Sequence, residues 1–139
     1  MASGKLLLAL SLVMCSSALM AATTMFHALS PDMASLEQYQ WKKRPVIIFA
    51  PSEQDADYVR QMAILKQSQS ALAERDIIVL SDTSPAARGQ LRTRLRPGGF
   101  EVLLVGKDGG IKRRQNRPVL SGDLLATIDS MPMRKANLR

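Results

Sequence analysis

The run Val46-Ile47-Ile48-Phe49-Ala50 constrains this chain more than any other stretch. It is a short, continuous apolar segment rich in β-branched residues, and it has no polar face to offer water. A strand of that kind is buried on both sides. Arg44-Pro45 introduces it and Pro51 ends it, which holds it to strand length. The 139 residues of the chain are enough for one core of this kind and too few for two ordinary domains.

The elements around that strand follow from spacing. Before it, Met33 to Trp41 carries Leu36, Tyr39 and Gln40 at near-helical spacing after Pro31-Asp32, a short lead-in helix or turn. After it, Tyr58, Met62, Leu65 and Leu72 lie on one stripe of a long helix predicted from about Asp55 to Glu74. Ser52, Glu53 and Asp55 place a capping hydroxyl and acids at its start. Ile77-Ile78-Val79-Leu80 reads as a second buried strand. Ser81 to Pro85 turns the chain into a second helix running to about Leu95, with Ala87, Leu91 and Leu95 on its apolar face.

Arg96-Pro97-Gly98-Gly99 is a loop, and Phe100 to Val105 is a third strand. Lys107-Asp108-Gly109-Gly110 predicts a tight hairpin of type I′, with an antiparallel strand from Ile111 onward. A closing helix opens at Ser121-Gly122-Asp123, presents Leu124, Leu125, Ile128 and Met131, and stops at Pro132. The order β-α-β-α-β-β-α is that of an α/β thioredoxin-like three-layer sandwich with a four-stranded mixed sheet. Such a topology brings the loop Pro51 to Asp55 beside the loop Arg96 to Gly99, and that crevice is the first place to expect a site. Pro51, Ser52, Glu53, Asp55, Arg96, Gly98 and Gly99 are its candidate binding residues.

The first 22 residues, MASGKLLLALSLVMCSSALMAA, have the order of a cleavable secretory signal peptide: Lys5, then an apolar stretch from Leu6, then small residues up to Ala21-Ala22. The stretch is much shorter than the roughly 20 apolar residues that span a bilayer. A lipoprotein reading, with Cys15 as the acylated residue, is disfavoured by Met14, where a small residue normally stands. A secreted or periplasmic location is therefore expected, with residues 23–32 as a flexible lead and 33–139 as the domain. Cleavage would remove Cys15, the chain's one cysteine, so a disulfide scaffold and thiol chemistry are both excluded for the mature domain. One histidine, His27, and no cysteine leave no zinc cluster, and no cofactor or metal site is read from the sequence.

Several residues together resemble a known family. They are Leu36-x-x-Tyr39-x-Trp41-x-x-Arg44, Phe49-Ala50-Pro51, Gly98-Gly99-Phe100, Gly106 to Gly110, and the ending Ile128-Asp129-x-Met131-Pro132-Met133-Arg134. Over about residues 33–139 the chain resembles the domain-of-unknown-function 4174 family. The resemblance implies a thioredoxin-like or peroxiredoxin-like domain, found alone in bacterial secreted proteins and inside larger extracellular animal proteins, with no established reaction. Where catalytic relatives of that fold carry a nucleophilic thiol, this chain has Pro51-Ser52-Glu53-Gln54-Asp55, and Phe100-Glu101 stands where they hold a proline.

Charge is distributed unevenly. Residues 23–87 hold six basic and eight acidic side chains, while residues 88–139 hold twelve basic and four acidic. Arg88, Arg92 and Arg96 recur every four residues, and Lys112, Arg113, Arg114 and Arg117 form a run, so these are the candidate anion-binding residues. Their partner would be an acidic envelope protein or an anionic lipid surface. Nucleic acid is disfavoured, because aromatic residues make up only 4% of the chain. Two functions are weighed on these residues. One is a non-enzymatic binding or interaction module of the bacterial cell envelope. The other is a cysteine-independent enzyme or redox-linked protein using a metal on Glu53, Asp55 or Asp57, or the methionines Met131 and Met133.

Overall fold

In the computed structural model, which describes residues 24–137, the apolar run is the central strand β2 (Arg44–Phe49), and all six of its residues are buried. β3 (Ile77–Asp82) lies parallel to it on one side and β4 (Glu101–Val105) antiparallel on the other. β5 (Ile111–Gln115) completes the hairpin with β4. β1 (Phe26–Ala28) pairs parallel with the outer edge of β3, giving one five-stranded sheet in the order β1-β3-β2-β4-β5.

Strand alternation sorts β2 between two cores. Val46, Ile48 and Ala50 face one side, where Leu65 of α1 (Ala56–Gln67), Leu72 of α2 (Gln69–Ala73), and Leu124 and Ile128 of α4 (Ser121–Asp129) cover them. Ile47 and Phe49 face the other side, against Leu91 and Leu95 of α3 (Gln90–Leu95), Leu29, Met33, Leu36 and Tyr39. Fully burying each such side chain is worth about 1.5–3 kcal/mol, so β2 sets where both helical layers must go. A short α5 (Pro132–Asn137) follows α4. These layers are the three-layer thioredoxin-like sandwich that the element order predicts.

Five expectations need correction. The sheet has five strands rather than four, because Phe26–Ala28 is an edge strand and not a flexible lead. Buried Met25 and Leu29 anchor its two ends, and their backbones bond Val79 and Ser81 at 2.7 Å. The long first helix is two, broken at Ser68 within the polar run Gln67 to Ser70. The second helix is only Gln90–Leu95, preceded by a single 3-10 turn at Pro85–Ala87, since Arg88 takes a left-handed backbone with φ 49°. Arg88, Arg92 and Arg96 therefore do not form one helical row. Pro132 does not merely stop α4 but opens α5 at a position where its missing N–H costs nothing. The Lys107 to Gly110 turn has only Gly109 at positive φ, 89°, where type I′ needs two such residues.

At the carboxyl ends of β2 and β3, the Arg92 guanidinium closes the sheet. It bonds both Asp82 carboxylate oxygens at 3.0 and 3.2 Å and the carbonyls of Ala50 and Asp82 at 3.1 and 2.9 Å, and it lies 5.3 Å from the centre of the Phe49 ring. Asp82 is 8% exposed and also accepts from the Ser84 N–H. Breaking a buried pair strands the surviving charge, so Asp82→Ala is expected to lower the unfolding free energy by about 3–5 kcal/mol. Urea denaturation measures it, and a loss below about 1 kcal/mol, the size of an exposed pair, would contradict a structural role for this contact.

Candidate functional site

The crevice expected at the carboxyl end of β2 is occupied by the fold's own bonds. The Asp55 carboxylate caps α1 by accepting from the Tyr58 N–H at 3.0 Å, and the Ser52 hydroxyl accepts from the Gln54 N–H. Glu53 faces another way, into a cavity of about 190 Å³ shared with Phe26, Tyr58 and Met62. Across from that loop, the Gly98 N–H donates to Glu101, and a side chain at Gly98 or Gly99 would meet open space. Neither glycine is thus required for a close approach. Arg96 is exposed, and Pro51 is exposed beside Ser52. Glu53, Asp55 and Asp57 do not gather into a metal-binding group of three among the described residues.

The basic run is largely engaged with its own neighbours. Lys112 pairs with Asp108 at 2.9 Å, Arg113 bonds Gln115 and Thr127, and Arg114 bonds Glu101 at 2.6 Å and the Leu95 carbonyl at 2.7 Å. Partial burial raises the Glu101 pKa, but the bonds from Arg114 and the Gly98 N–H outweigh it and hold the carboxyl below its ordinary value. Arg113, Arg114 and Arg117 do share one open basin with Glu101 at its side. Arg88 lies apart from it, exposed on the turn before α3.

The opposite end of β2 holds what the sequence did not single out as a site. A cavity of about 540 Å³ lies where β2 begins, within the size range of small-ligand sites. Its apolar wall is Trp41, Met131, Pro132 and Met133, and its polar wall includes Arg44, Lys107 and Lys112. Trp41 is 62% exposed and takes a left-handed backbone with φ 67°, fixed by its N–H donating to the Lys107 carbonyl at 2.7 Å. A bulky residue in that conformation is held there by its surroundings at a cost of order 1–3 kcal/mol.

Arg44 is only 1% exposed, the largest fully buried side chain described. Its Nη1 donates to the Arg75 carbonyl at 2.8 Å, while Nε and Nη2 have no partner among the described residues. Desolvation pushes its pKa below the ordinary guanidinium value, with Asp76 opposing that effect and Arg134 adding to it. A guanidinium nonetheless keeps its charge in a protein.

Among the described residues, the carboxylates that line the cavity or act on Arg44 are already paired. Asp76 holds Lys107 at 2.7 Å, Asp108 holds Lys112, and Asp129 takes Arg75 through both oxygens at 2.8 and 3.0 Å. Arg134 stands 3.4 Å from Asp129, and its Nε makes no hydrogen bond. The sequence did carry a sign of this: a charged residue two positions before the apolar run of a strand buried on both faces is drawn out of water with it and then needs a partner.

The Arg75 bond holds the Asp129 carboxyl below its ordinary value against a smaller desolvation effect, and the bonds from Lys112 and the Gly110 N–H do the same for Asp108. A carboxyl depressed in the folded state contributes stability that is present above its unfolded pKa, near 4, and is lost as pH falls through the folded value. Urea midpoints are therefore expected to fall between about pH 5 and pH 2, and Asp129→Asn to flatten part of that fall. A midpoint that rises on acidification, or an unchanged slope in Asp129→Asn, would contradict the clamp.

Known proteins match this architecture and sequence. In structure, the chain is similar to the reduced 2-Cys peroxiredoxin of Plasmodium vivax, with a TM-score of 0.55, 14% identity, and coverage of 73% of this chain and 84% of that one. It is also similar to StoA from Bacillus subtilis, with a TM-score of 0.51, 10% identity, and coverage of 68% and 92%. At those identities the likeness is one of fold. In sequence, it is 29% identical over 122 residues to the Sushi repeat-containing protein SRPX of Rattus norvegicus and 28% identical to that of Homo sapiens. The match takes in 76% of this chain but only 26% of either relative, so the chain spans about a quarter of their length. The sequence profile described as "Domain of unknown function (DUF4174)" matches residues 35–137, and the chain belongs to that family.

Proposed function

We propose that this thioredoxin-like domain is a non-enzymatic binding module of the bacterial cell envelope, secreted by way of residues 1–22 and directed at an anionic partner. One observation carries the reading: the start of α1, where relatives of this fold place a reactive thiol, is built from Ser52, Glu53 and the capping Asp55. Carboxylates there oppose the ionisation that any nucleophile would need. The one cysteine, Cys15, falls in the leader and lies outside the described residues. The excess of basic over acidic side chains after residue 88, with Arg113, Arg114 and Arg117 around one open basin, supports an anionic partner.

Two measurements on the purified chain test this. Insulin reduction and peroxide consumption with dithiothreitol are expected to match the protein-free blank, and a rate above the blank, whether or not Cys15→Ser abolishes it, would overturn the non-enzymatic reading. Cosedimentation with phosphatidylglycerol vesicles and retention of acidic envelope proteins are expected to include at least one interaction that weakens as salt rises from 50 to 500 mM, over which the screening length falls by roughly threefold. No salt-sensitive binding in either would count decisively against an anionic partner.

A further inference from the structure

The motif residues that lie far apart in sequence converge on one place. Trp41 precedes β2 and Arg44 opens it, Gly106 to Asp108 follow β4, and Met131 to Met133 follow α4, yet all line the cavity at the amino end of β2. Among the described residues, its lining and the groups bonded beside it bring five cations, Arg44, Arg75, Lys107, Lys112 and Arg134, against the three carboxylates Asp76, Asp108 and Asp129, with the exposed Glu74 acting on Arg75 from outside. Each of those three carboxylates is bonded to a cation other than Arg44. The site therefore lacks negative charge, and Arg44 is where the deficit is buried.

The two unpartnered nitrogens of Arg44 are informative. Nε–H and Nη2–H point in parallel from one edge of the planar guanidinium, the edge that takes both oxygens of a carboxylate at once. Both nitrogens are sealed from water where they stand, so neither their bonding nor their charge is satisfied by solvent. A carboxylate satisfies both. The remaining wall, Trp41 with Met131, Pro132 and Met133, is apolar and deformable, suited to a flat or flexible hydrocarbon body.

We propose that this cavity is a binding site for an organic carboxylate, with its apolar body between Trp41 and the Met131 to Met133 segment and its oxygens reaching the buried Nε and Nη2 edge of Arg44 as that flexible methionine wall gives way. This names a ligand class for a domain read as a binding module, and it rests on that reading. The site lies at the opposite end of β2 from the start of α1, so it owes nothing to the place where thiol enzymes of this fold do their chemistry.

Trp41 is the single tryptophan of the chain, so its fluorescence reports on this cavity alone. The probe is 4-phenylbutyrate, with 4-phenylbutan-1-ol as the uncharged analogue and acetate as the charge without the body. Wild type is expected to give a saturable change with 4-phenylbutyrate and to bind the alcohol and acetate at least about tenfold more weakly. Arg44→Met, which fills the space without the charge, is expected to weaken 4-phenylbutyrate by at least about tenfold while its melting curve remains cooperative.

No saturable change in wild type, equal binding of the acid and the alcohol, or undiminished binding by a folded Arg44→Met would each overturn the proposal. If that variant does not fold, the comparison of acid with alcohol in wild type still decides. A negative titration beside intact salt-sensitive vesicle binding removes this pocket only. Thiol turnover abolished by Cys15→Ser removes the binding-module reading and leaves the titration standing.

Discussion

A strand buried on both faces can shed its polar ends only into groups that are themselves buried, and β2 seals both of its ends with arginine. At the carboxyl end, Arg92 finds a carboxylate, two strand-end carbonyls and an aromatic face. At the amino end, Arg44 finds one carbonyl. Both guanidiniums are withdrawn from water, where an uncompensated ion costs several kcal/mol, but only the first is compensated. The asymmetry is the central physical fact of the molecule. One end is closed by a complete set of internal bonds, and the other is left short of an anion beside a cavity.

That asymmetry inverts the usual disposition of the fold. Function in open α/β sheets is generally sought at the carboxyl ends of the strands, and here that end is occupied by the Asp82 to Arg92 pair and by the Asp55 cap of α1. Three segments distant in the chain meet instead at the amino end of β2, held by bonds that leave the cavity open: Trp41 to the Lys107 carbonyl, Gln40 to the Asp108 carbonyl, and Arg75 to Asp129. The fold and the family are shared with known proteins, while the proposed place of binding follows from where charge is left unbalanced.

Much of the fold was legible because buried strands announce themselves. Val46 to Ala50 and Ile77 to Leu80 are apolar runs, Phe100 to Val105 is apolar but for Glu101, and strands appear at all three as the sequence puts them. β1 was not legible, because Phe26-His27-Ala28 is three residues with one half-buried and two exposed, and its strand character comes from pairing with β3. The row of Arg88, Arg92 and Arg96 misled for a related reason. Helical spacing means nothing where the backbone turns left-handed, as it does at Arg88 and Arg96. The Arg44 cavity was the least legible feature, since Trp41 and Met133 lie 92 positions apart and no local pattern joins them.

The most direct test is to observe the Arg44 guanidinium itself. In the nitrogen-15-labelled chain, the Arg44 Nε–H resonance, assigned by its loss in Arg44→Met, is followed during a 4-phenylbutyrate titration. The expected result is a downfield shift of that resonance as a carboxylate oxygen accepts from it, saturating together with the Trp41 fluorescence change. An Arg44 resonance that stays fixed while those of Arg113, Arg114 or Arg117 move would contradict an oxyanion site at the amino end of β2.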